Sequence, residues 1–245
     1  MAIEAQFLTL IKQAIDLRRK EKQGTLKALC LAYPDLLVTQ SRLEALFTAA
    51  VVATLPLRDD ADKIWAWHGL KGATTPLYDT LPLFKALDID AEVIDIIAAR
   101  GMERIVDLNM PMPSDLEAQF DLVIDTGTCE HCFNVAQAFL NSCAAVTEGG
   151  FLVHAAPLTR VNHGFWNFSP TVYPDFLHDN GFKILYMQGM SCDLRNGFKA
   201  FDVEAHRRFN APANAAIFVV AKRIEVRPFT FPVQYKYRDS KAATV

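Results

Sequence analysis

The chain has 245 residues, 51% of them hydrophobic, and a formal net charge of −3. This length is enough for one large core with an appendage, and the slight negative charge excludes the broad basic surface typical of nucleic-acid binding. Five scattered cysteines favour a reducing compartment over a disulfide framework. No apolar run reaches the roughly 18 residues of a membrane span, and Glu4 stands where a signal peptide carries basic residues. We expect a soluble, cytoplasmic protein that acts on a small or glycan-like molecule, without nucleic acid.

The first 56 residues predict a helical element. Apolar side chains between Ile3 and Ile15 recur at helical spacing, and a charged run follows them. A short helix is expected to end at Tyr33, before a proline, and a third helix to run from Ser41 to Val51. We expect residues 1–56 to act either as a cap or as the dimerisation element of a homodimer.

The next apolar stretch, Lys63 to His68, predicts the first strand of a sheet. The turn after it contains Gly69 and Gly72, and a helix follows through Leu87. Two glycines three residues apart are weak support for a ligand-binding turn, because many ordinary strand-to-helix turns contain glycine.

Three further strand candidates each end at an aspartate. These residues are Asp95, Asp107 and Asp125. A carboxylate at a strand tip accepts hydrogen bonds from ribose hydroxyls in nucleotide-binding sheets. Aspartate is also a common turn residue, but three in succession favour a nucleoside site.

The stretch from Phe120 to Pro157 predicts a strand, a helix and a parallel strand joined by a right-handed crossover. The last two strands are expected at Phe182–Gln188 and Ala216–Ile224. The fold class is therefore α/β, with a doubly wound, mostly parallel, seven-stranded Rossmann-like sheet. We assign residues 57–224 to this domain and 225–245 to a C-terminal tail that packs along an edge or a partner subunit.

The spacing of FDLVID, the Glu130–His131 pair and the Gly149–Gly150 pair resembles class I S-adenosylmethionine-dependent methyltransferases over roughly residues 63–224. The resemblance implies S-adenosylmethionine as cofactor. It also implies that Asp95 binds the ribose and Asp107 the adenine amino group. The remaining cofactor contacts that it implies are His68, Gly69, Gly72, Ile96, Leu108, Asp125 and Thr126. The chain departs from the family at its glycine-rich loop, where His68 replaces an acidic residue and only two glycines are present.

A long polar and aromatic loop follows Pro157 and predicts the acceptor site, because long structured loops at this sheet edge usually bind something. Similar segments occur in methyltransferases of bacterial glycan assembly. The resemblance therefore implies methyl transfer to a sugar hydroxyl. His163 is the candidate general base and His131 a candidate catalytic or supporting residue. The candidate substrate contacts are Asn162, Phe165, Trp166 and Asn167. The alternative is a methyltransferase-like scaffold that has lost its cofactor.

Two other patterns occur near Asp125. Residues 124–128 spell the aspartic-protease signature, but a single copy inside an α/β pattern does not supply a carboxylate dyad. Cys129 and Cys132 form a C-x-x-C pair, which occurs in redox and zinc proteins. In thioredoxin-like proteins the motif follows an early strand, whereas here it comes after three predicted α/β units. A zinc site would need a second ligand pair at a compatible spacing. We expect no metal site, and we expect His154 to be a core residue.

Overall fold

The structure is a computed structural model that describes residues 2–193 and 197–238. The strands are β1 (Ala2–Glu4), β2 (Leu26–Leu31), β3 (Asp35–Leu37), β4 (Ile89–Asp95), β5 (Arg104–Ile105), β6 (Phe120–Asp125), β7 (Val146–Pro157), β8 (Phe182–Asp193), β9 (Gly197–Phe201) and β10 (Ala215–Arg223). The helices are α1 (Ala5–Glu21), α2 (Gln40–Phe47), α3 (Ala49–Val52), α4 (Ala61–Trp67), α5 (Thr80–Ala86), α6 (Val135–Ala145) and α7 (Val172–Leu177). Among these described helices, none is both long and apolar enough to cross a bilayer.

Eight strands form the main sheet, in the order β5-β4-β2-β6-β7-β10-β8-β9. The five strands from β5 to β7 are parallel, whereas β10 is antiparallel to both of its neighbours and β9 is antiparallel to β8. The predicted α/β class is confirmed, but the predicted seven-stranded sheet is wrong. The sheet is mixed and has eight strands, because β9 pairs antiparallel with β8 and adds a strand at the edge.

The first core strand lies earlier in the chain than predicted. Residues 26–31, predicted as part of a helix, form β2 between β4 and β6. Five of its six side chains are buried, as expected for a strand covered on both faces. A boundary near residue 56 therefore does not separate a helical element from the sheet.

The predicted strand at residues 63–68 is wrong, since this stretch lies in α4 and its C-terminal turn. Only Ile64 of α4 is buried, and Trp67 is 82% exposed, which fits a surface helix with one inward side chain. Gly69 and Gly72 have φ of 81° and 83° in the turn that follows, and an added Cβ would meet nothing within 4 Å at either. These glycines therefore permit turn backbone and cradle no neighbouring group.

Helices cover both faces of the sheet. One core contains α1, α2, α3 and α5 side chains, and the other contains those of α6 and α7. The apolar face of α1 packs inside the chain, for example through Phe7 against Phe218 of β10 with ring centroids 5.4 Å apart. The apolar face of α1 therefore belongs to the core of the chain.

The predicted strand–helix–strand unit is present as β6, α6 and β7. Asn134 caps α6 by accepting from Gln137 N at 3.4 Å. The helix ends at Ala145, and buried Arg223 of β10 donates to the carbonyls of Cys143, Ala144 and Val146. Residues 225–238 contact α7 and the turn after it, for example through Tyr235 N to Asp175 Oδ2 at 3.0 Å and Thr230 N to Asn180 Oδ1 at 2.7 Å. Residues 239–245 of the predicted tail lie outside the described residues.

A fully buried carboxylate ties α1 to the centre of the sheet. Asp121 of β6 accepts from Arg18 Nε at 2.8 Å, Lys22 Nζ at 2.7 Å and Lys27 N at 2.9 Å. Burial by itself raises the pKa of Asp121, but these three donors outweigh it, so the pKa lies below its ordinary value.

We expect Asp121→Asn to lower the free energy of unfolding by about 2–4 kcal/mol near neutral pH, because it leaves two cations around a buried neutral group. Urea denaturation measures this loss. The folded-state pKa is depressed, so the stabilisation is present above the unfolded value of about 3.9 and is lost as pH falls through the folded value. The difference between the two proteins should therefore shrink below about pH 4.

Asp16→Asn is the matched control, because it breaks the exposed Lys12–Asp16 pair of α1, whose Nζ and Oδ2 atoms are 2.6 Å apart. We expect a change of about 0.5 kcal/mol or less. An equal effect of the two substitutions would contradict the structural role of Asp121.

Candidate functional site

The chain reverses its winding between β2 and β6. Strands β4 and β5 lie on one side of β2, whereas β6 and β7 lie on its other side. Ligands of open α/β sheets bind at the carboxyl ends of the strands beside such a switch point. The backbones meet closely here, since Thr128 Oγ1 donates to Leu31 O at 2.6 Å. The candidate site is the rim made by the loops after β2, β4, β5, β6 and β7.

The loop after β2 has no glycine and is filled by side chains. Ala32 has φ of 63° and donates its N–H to Ile94 O at 2.7 Å. The Tyr33 ring is 5% exposed, its hydroxyl donates to the Asp79 carboxylate, and the guanidiniums of Arg58 and Arg100 each lie 5.5 Å from its centroid.

His68 joins this loop from α4. Its Nε2 lies 3.0 Å from Oδ2 of buried Asp35, and Arg100 donates to Oδ1 of the same carboxylate at 2.8 Å. His68 therefore lies beside the first loop of the sheet, although it does not follow the first strand as predicted.

The loop after β4 offers a carboxylate and two exposed apolar side chains. Asp95 Oδ1 accepts from Ile96 N at 2.6 Å and from Ile97 N at 3.4 Å. The two isoleucines are each 61% exposed. Exposed isoleucines beside a half-buried carboxylate are suited to a ligand with an apolar ring and hydroxyls.

The loop after β5 presents a second carboxylate. Asp107 Oδ1 accepts from the N–H of Asn109 at 2.9 Å and from its side chain at 2.8 Å, which lowers the Asp107 pKa. Leu108 is 6% exposed and belongs to the core, whereas Met110 is the exposed apolar side chain of this loop, at 60%. Leu108, a predicted cofactor contact, therefore packs in the core, and Met110 is the apolar side chain that this loop presents to solvent.

Asp125 at the end of β6 is fully buried. Its Oδ1 accepts from Gly127 N and Thr128 N at 3.0 and 2.6 Å, and its Oδ2 lies 2.9 Å from His154 Nδ1. Burial raises the pKa of Asp125, but the pairing with His154 and the other hydrogen bonds bring it below its ordinary value. Thr126, the neighbouring predicted contact, has a buried hydroxyl without a hydrogen-bond partner. Asp125 therefore supports the rim from beneath.

The charges of Asp95, Asp107 and Asp125 all raise the pKa of the Cys132 thiol. Burial is the main reason that the pKa of Cys132 is raised to about 11, and the charges of Asp125, Asp107, Glu130 and Asp95 add to it. The pKa of buried Cys129 is also raised, first by burial and then by Asp125. These carboxylates therefore disfavour the thiolate of Cys132, which is the reverse of the activated thiol of a redox C-x-x-C motif.

The loop after β7 bends over the turn that follows β6. The N–H groups of Phe165 and Trp166 donate to Glu130 O at 2.9 and 3.3 Å, and Trp166 Nε1 donates to Cys132 O at 3.1 Å. Asn162 is exposed with φ of 62°, and Asn167 Oδ1 accepts from Arg160 N at 2.9 Å.

An apolar cavity of about 220 Å³ opens beside this loop. Trp166 and Asn167 line it together with aromatic side chains of α6, α7 and the tail.

The same loop brings the two predicted catalytic histidines together. The ring centroids of His131 and His163 are 5.3 Å apart, and His163 Nε2 lies 3.5 Å from Glu130 Oε1. Glu130 is 1% exposed. The burial of Glu130 has no local sequence signal except that Glu130 is adjacent to His131. The contacts of Tyr33 with Asp79 and of Asp35 with His68 and Arg100 have no local sequence signal.

No family model matches the sequence, and no curated protein is similar to it. Among solved structures, a 1,6-didemethyltoxoflavin-N1-methyltransferase of Burkholderia thailandensis, bound to 1,6-didemethyltoxoflavin and S-adenosylhomocysteine, is 12% identical, with TM-score 0.43 over 87% of this chain and 77% of that chain. The N-methyltransferase NodS of Bradyrhizobium japonicum is 13% identical, with TM-score 0.42 over 90% and 98%. The 16S rRNA (adenine(1408)-N(1))-methyltransferase of Catenulisporales acidiphilia is 10% identical, with TM-score 0.40 over 87% and 94%.

The fold itself is α/β, with helices on both faces of a mixed eight-stranded sheet. Because the identities and TM-scores are low, no residue role is carried over from these proteins, and the roles below rest on the chain's own geometry.

The thiol environment gives a direct test of the redox alternative. At pH 8 we expect iodoacetamide to modify native Cys132 roughly a hundredfold more slowly than the urea-unfolded chain, because a pKa of about 11 leaves little thiolate. Peptide mass spectrometry follows the reaction, which should accelerate as pH rises toward 11. Rapid native modification at pH 7 together with reduction of insulin disulfides would instead indicate a redox protein.

Proposed function

We propose that this protein transfers a methyl group from S-adenosylmethionine to a hydroxyl of a small polar acceptor. One observation carries the proposal: Asp95 ends β4, Asp107 lies in the loop after the adjacent strand β5, and both stand beside exposed apolar side chains at the rim. Two carboxylate acceptors and apolar surface match the ribose hydroxyls, the amino group and the ring of an adenosine.

The adenosine half of the cofactor fits these residues. Asp95 would bind the ribose hydroxyls, Asp107 the adenine amino group, and Ile96 with Met110 would contact the ring faces. The methionine half fits less well, because the loop after β2 carries Tyr33 where the resembled family has glycines.

The bound cofactor supplies an electrophilic methyl group for in-line displacement. The chain's own residues must align the acceptor, exclude water and receive the hydroxyl proton. The exposed side chains of His131 and His163 are the candidate acceptors of the hydroxyl proton, and buried Glu130 orients His163. His163 lies in the same loop as Trp166 and Asn167, and His131 lies in the turn after β6.

The acceptor proposed from the resemblance is a sugar hydroxyl in glycan biosynthesis. Phe133, Phe165 and Trp166 form an exposed aromatic group, with the Phe133 centroid 5.9 Å from Phe165 and 6.4 Å from Trp166. Aromatic faces pack well against the C–H face of a sugar ring while nearby amides bind its hydroxyls. The free, buried thiols of Cys30, Cys129 and Cys143 support the proposed reducing, cytoplasmic setting.

A scaffold without cofactor is the second candidate, and the first loop favours it. Tyr33 is held by Asp79 and flanked by Arg58 and Arg100, while Asp35 is paired with His68 and Arg100. This network of ionic contacts fills the loop after β2, where the resembled family has glycines.

Calorimetry with S-adenosylmethionine and S-adenosylhomocysteine separates the two candidates. We expect micromolar binding, weakened roughly ten- to a hundredfold in Asp95→Asn, because one charge-assisted hydrogen bond contributes about 1.5–3 kcal/mol. Asp90→Asn is the matched control, since Asp90 is exposed at the other end of β4, and it should bind like the wild type. Absence of binding heat at millimolar ligand would reject the enzyme and support the scaffold.

The catalytic histidines are tested separately from cofactor binding. We expect His163→Ala to lower methyl transfer to nucleotide sugars or simple glycans by about a hundredfold or more, while S-adenosylhomocysteine binding changes little. Transfer of labelled methyl groups measures the rate. His178→Ala, at an exposed histidine after α7, should keep the wild-type rate. Equal rates for both variants would remove His163 from the mechanism.

A further inference from the structure

Three side chains of potential metal ligands converge on the rim of the sheet. Glu130 and His131 are neighbours in a 3-10 turn after β6, and His163 comes from the loop after β7. One ligand atom from each lies within 4.8 Å of the others. The carboxylate is buried and the two imidazoles are exposed, so the group opens to solvent on the histidine side.

Glu130 is built into the turn as a buried acid. Its Oε2 is buried and has no hydrogen-bond partner. An added Cβ at Gly127 would lie 2.6 Å from Oε1, and one at Gly164 would lie 2.8 Å from the Glu130 carbonyl oxygen. Glycines on both sides therefore make room for a carboxylate whose burial is costly unless a cation or a donor meets it.

The histidines are held in place by backbone contacts. The N–H of Phe165 bonds to Glu130 O at 2.9 Å, which fixes the loop of His163 to the turn that carries Glu130 and His131. The three ligands are thereby positioned by one short turn and one loop anchored to it.

A simple ion pair explains this arrangement less well. His163 Nε2 is 3.5 Å from Glu130 Oε1, which is long for a charge-assisted hydrogen bond. This ion pair also leaves Glu130 Oε2 without a hydrogen-bond partner. It does not involve His131, although the His131 ring centroid is 5.3 Å from that of His163.

We propose that Glu130, His131 and His163 bind one divalent transition-metal ion. Two imidazole nitrogens and one carboxylate oxygen form a donor set that suits Zn²⁺, Fe²⁺, Co²⁺ or Mn²⁺ and leaves coordination positions open to water or a substrate oxygen. A hydroxyl bound there releases its proton to solvent more readily, because the metal lowers the hydroxyl pKa.

The other group of candidate ligands, Asp125, Cys129 and His154, does not meet these conditions. Asp125 uses both oxygens within the chain, and His154 Nε2 lies 3.0 Å from Tyr173 Oη. All three residues are fully buried, and their ligand atoms already have partners. This group is a structural hydrogen-bond chain.

The metal site does not rest on the proposed methyl transfer, because none of the three ligands belongs to the proposed adenosine contacts. If both hold, the histidines act as ligands, and the proton leaves from a metal-bound hydroxyl. Methyl transfer would then be abolished by a chelator and restored by the metal.

The experiment is a titration of the full chain, free of any histidine tag, with Zn²⁺ and Co²⁺ after chelator treatment and dialysis. We expect one equivalent to bind with micromolar or tighter affinity by calorimetry, and Co²⁺ to give visible bands without thiolate charge transfer. His131→Ala and His163→Ala each should weaken binding at least tenfold, because each variant removes one of the three ligands.

Glu130→Gln should weaken binding similarly, and circular dichroism checks that this buried variant folds. If Glu130→Gln does not fold, the variants of the exposed residues His131 and His163 still test the proposal. His178→Ala and Cys132→Ser are the controls and should bind like the wild type. Absence of binding at a hundredfold excess of metal, unchanged affinity in both histidine variants, or loss of binding in Cys132→Ser would each overturn the proposal. None of these outcomes depends on S-adenosylmethionine binding, so the two proposals fail separately.

Discussion

The functional rim depends on one buried carboxylate. Asp125 ends the central strand β6 and holds the turn after it by accepting two backbone N–H groups, while its other oxygen pairs with His154 of β7. His154 in turn contacts the hydroxyl of Tyr173 on α7 at 3.0 Å. Because a buried charge is tolerated only when its hydrogen bonds are satisfied, the strand end, the turn and α7 are fixed relative to one another.

The positions of the candidate ligands follow from that constraint. The turn held by Asp125 presents Glu130 and His131, and the Glu130 carbonyl accepts from the loop after β7, which brings His163 over the turn. Thr128 of the same turn bonds to the carbonyl of Leu31 and so joins the end of β6 to the end of β2. One short segment thus connects the proposed cofactor rim with the histidine group, and a disturbance of Asp125 would reach both.

The sequence predicts the strands that are continuous apolar runs with a polar stop, and β4, β5, β6, β8 and β10 lie where it places them. It fails at β2 because LKALCLAY is short and apolar, and such runs do not distinguish a buried strand from a buried helix. Residues 63–72 match a strand followed by a glycine turn because they contain Gly69 and Gly72, but they form a surface helix and the turn after it. The burial of Glu130 and its approach to His163 join residues 33 positions apart, and local patterns carry no record of such a contact.

The loop after β2 shows how this chain manages without the glycines of the family that it resembles. Ala32 adopts a left-handed conformation that costs a non-glycine residue roughly 1–2 kcal/mol, and such strain persists only where the surroundings determine the backbone. Here the N–H of Ala32 bonds to β4, and the next residue, Tyr33, is fixed by Asp79 and two guanidiniums. A glycine loop lets a ligand approach the backbone, whereas this loop is closed by an ionic network. A ligand at the switch point must therefore take most of its contacts from the loops after β4, β5, β6 and β7, where the carboxylates, exposed apolar side chains and histidines are found.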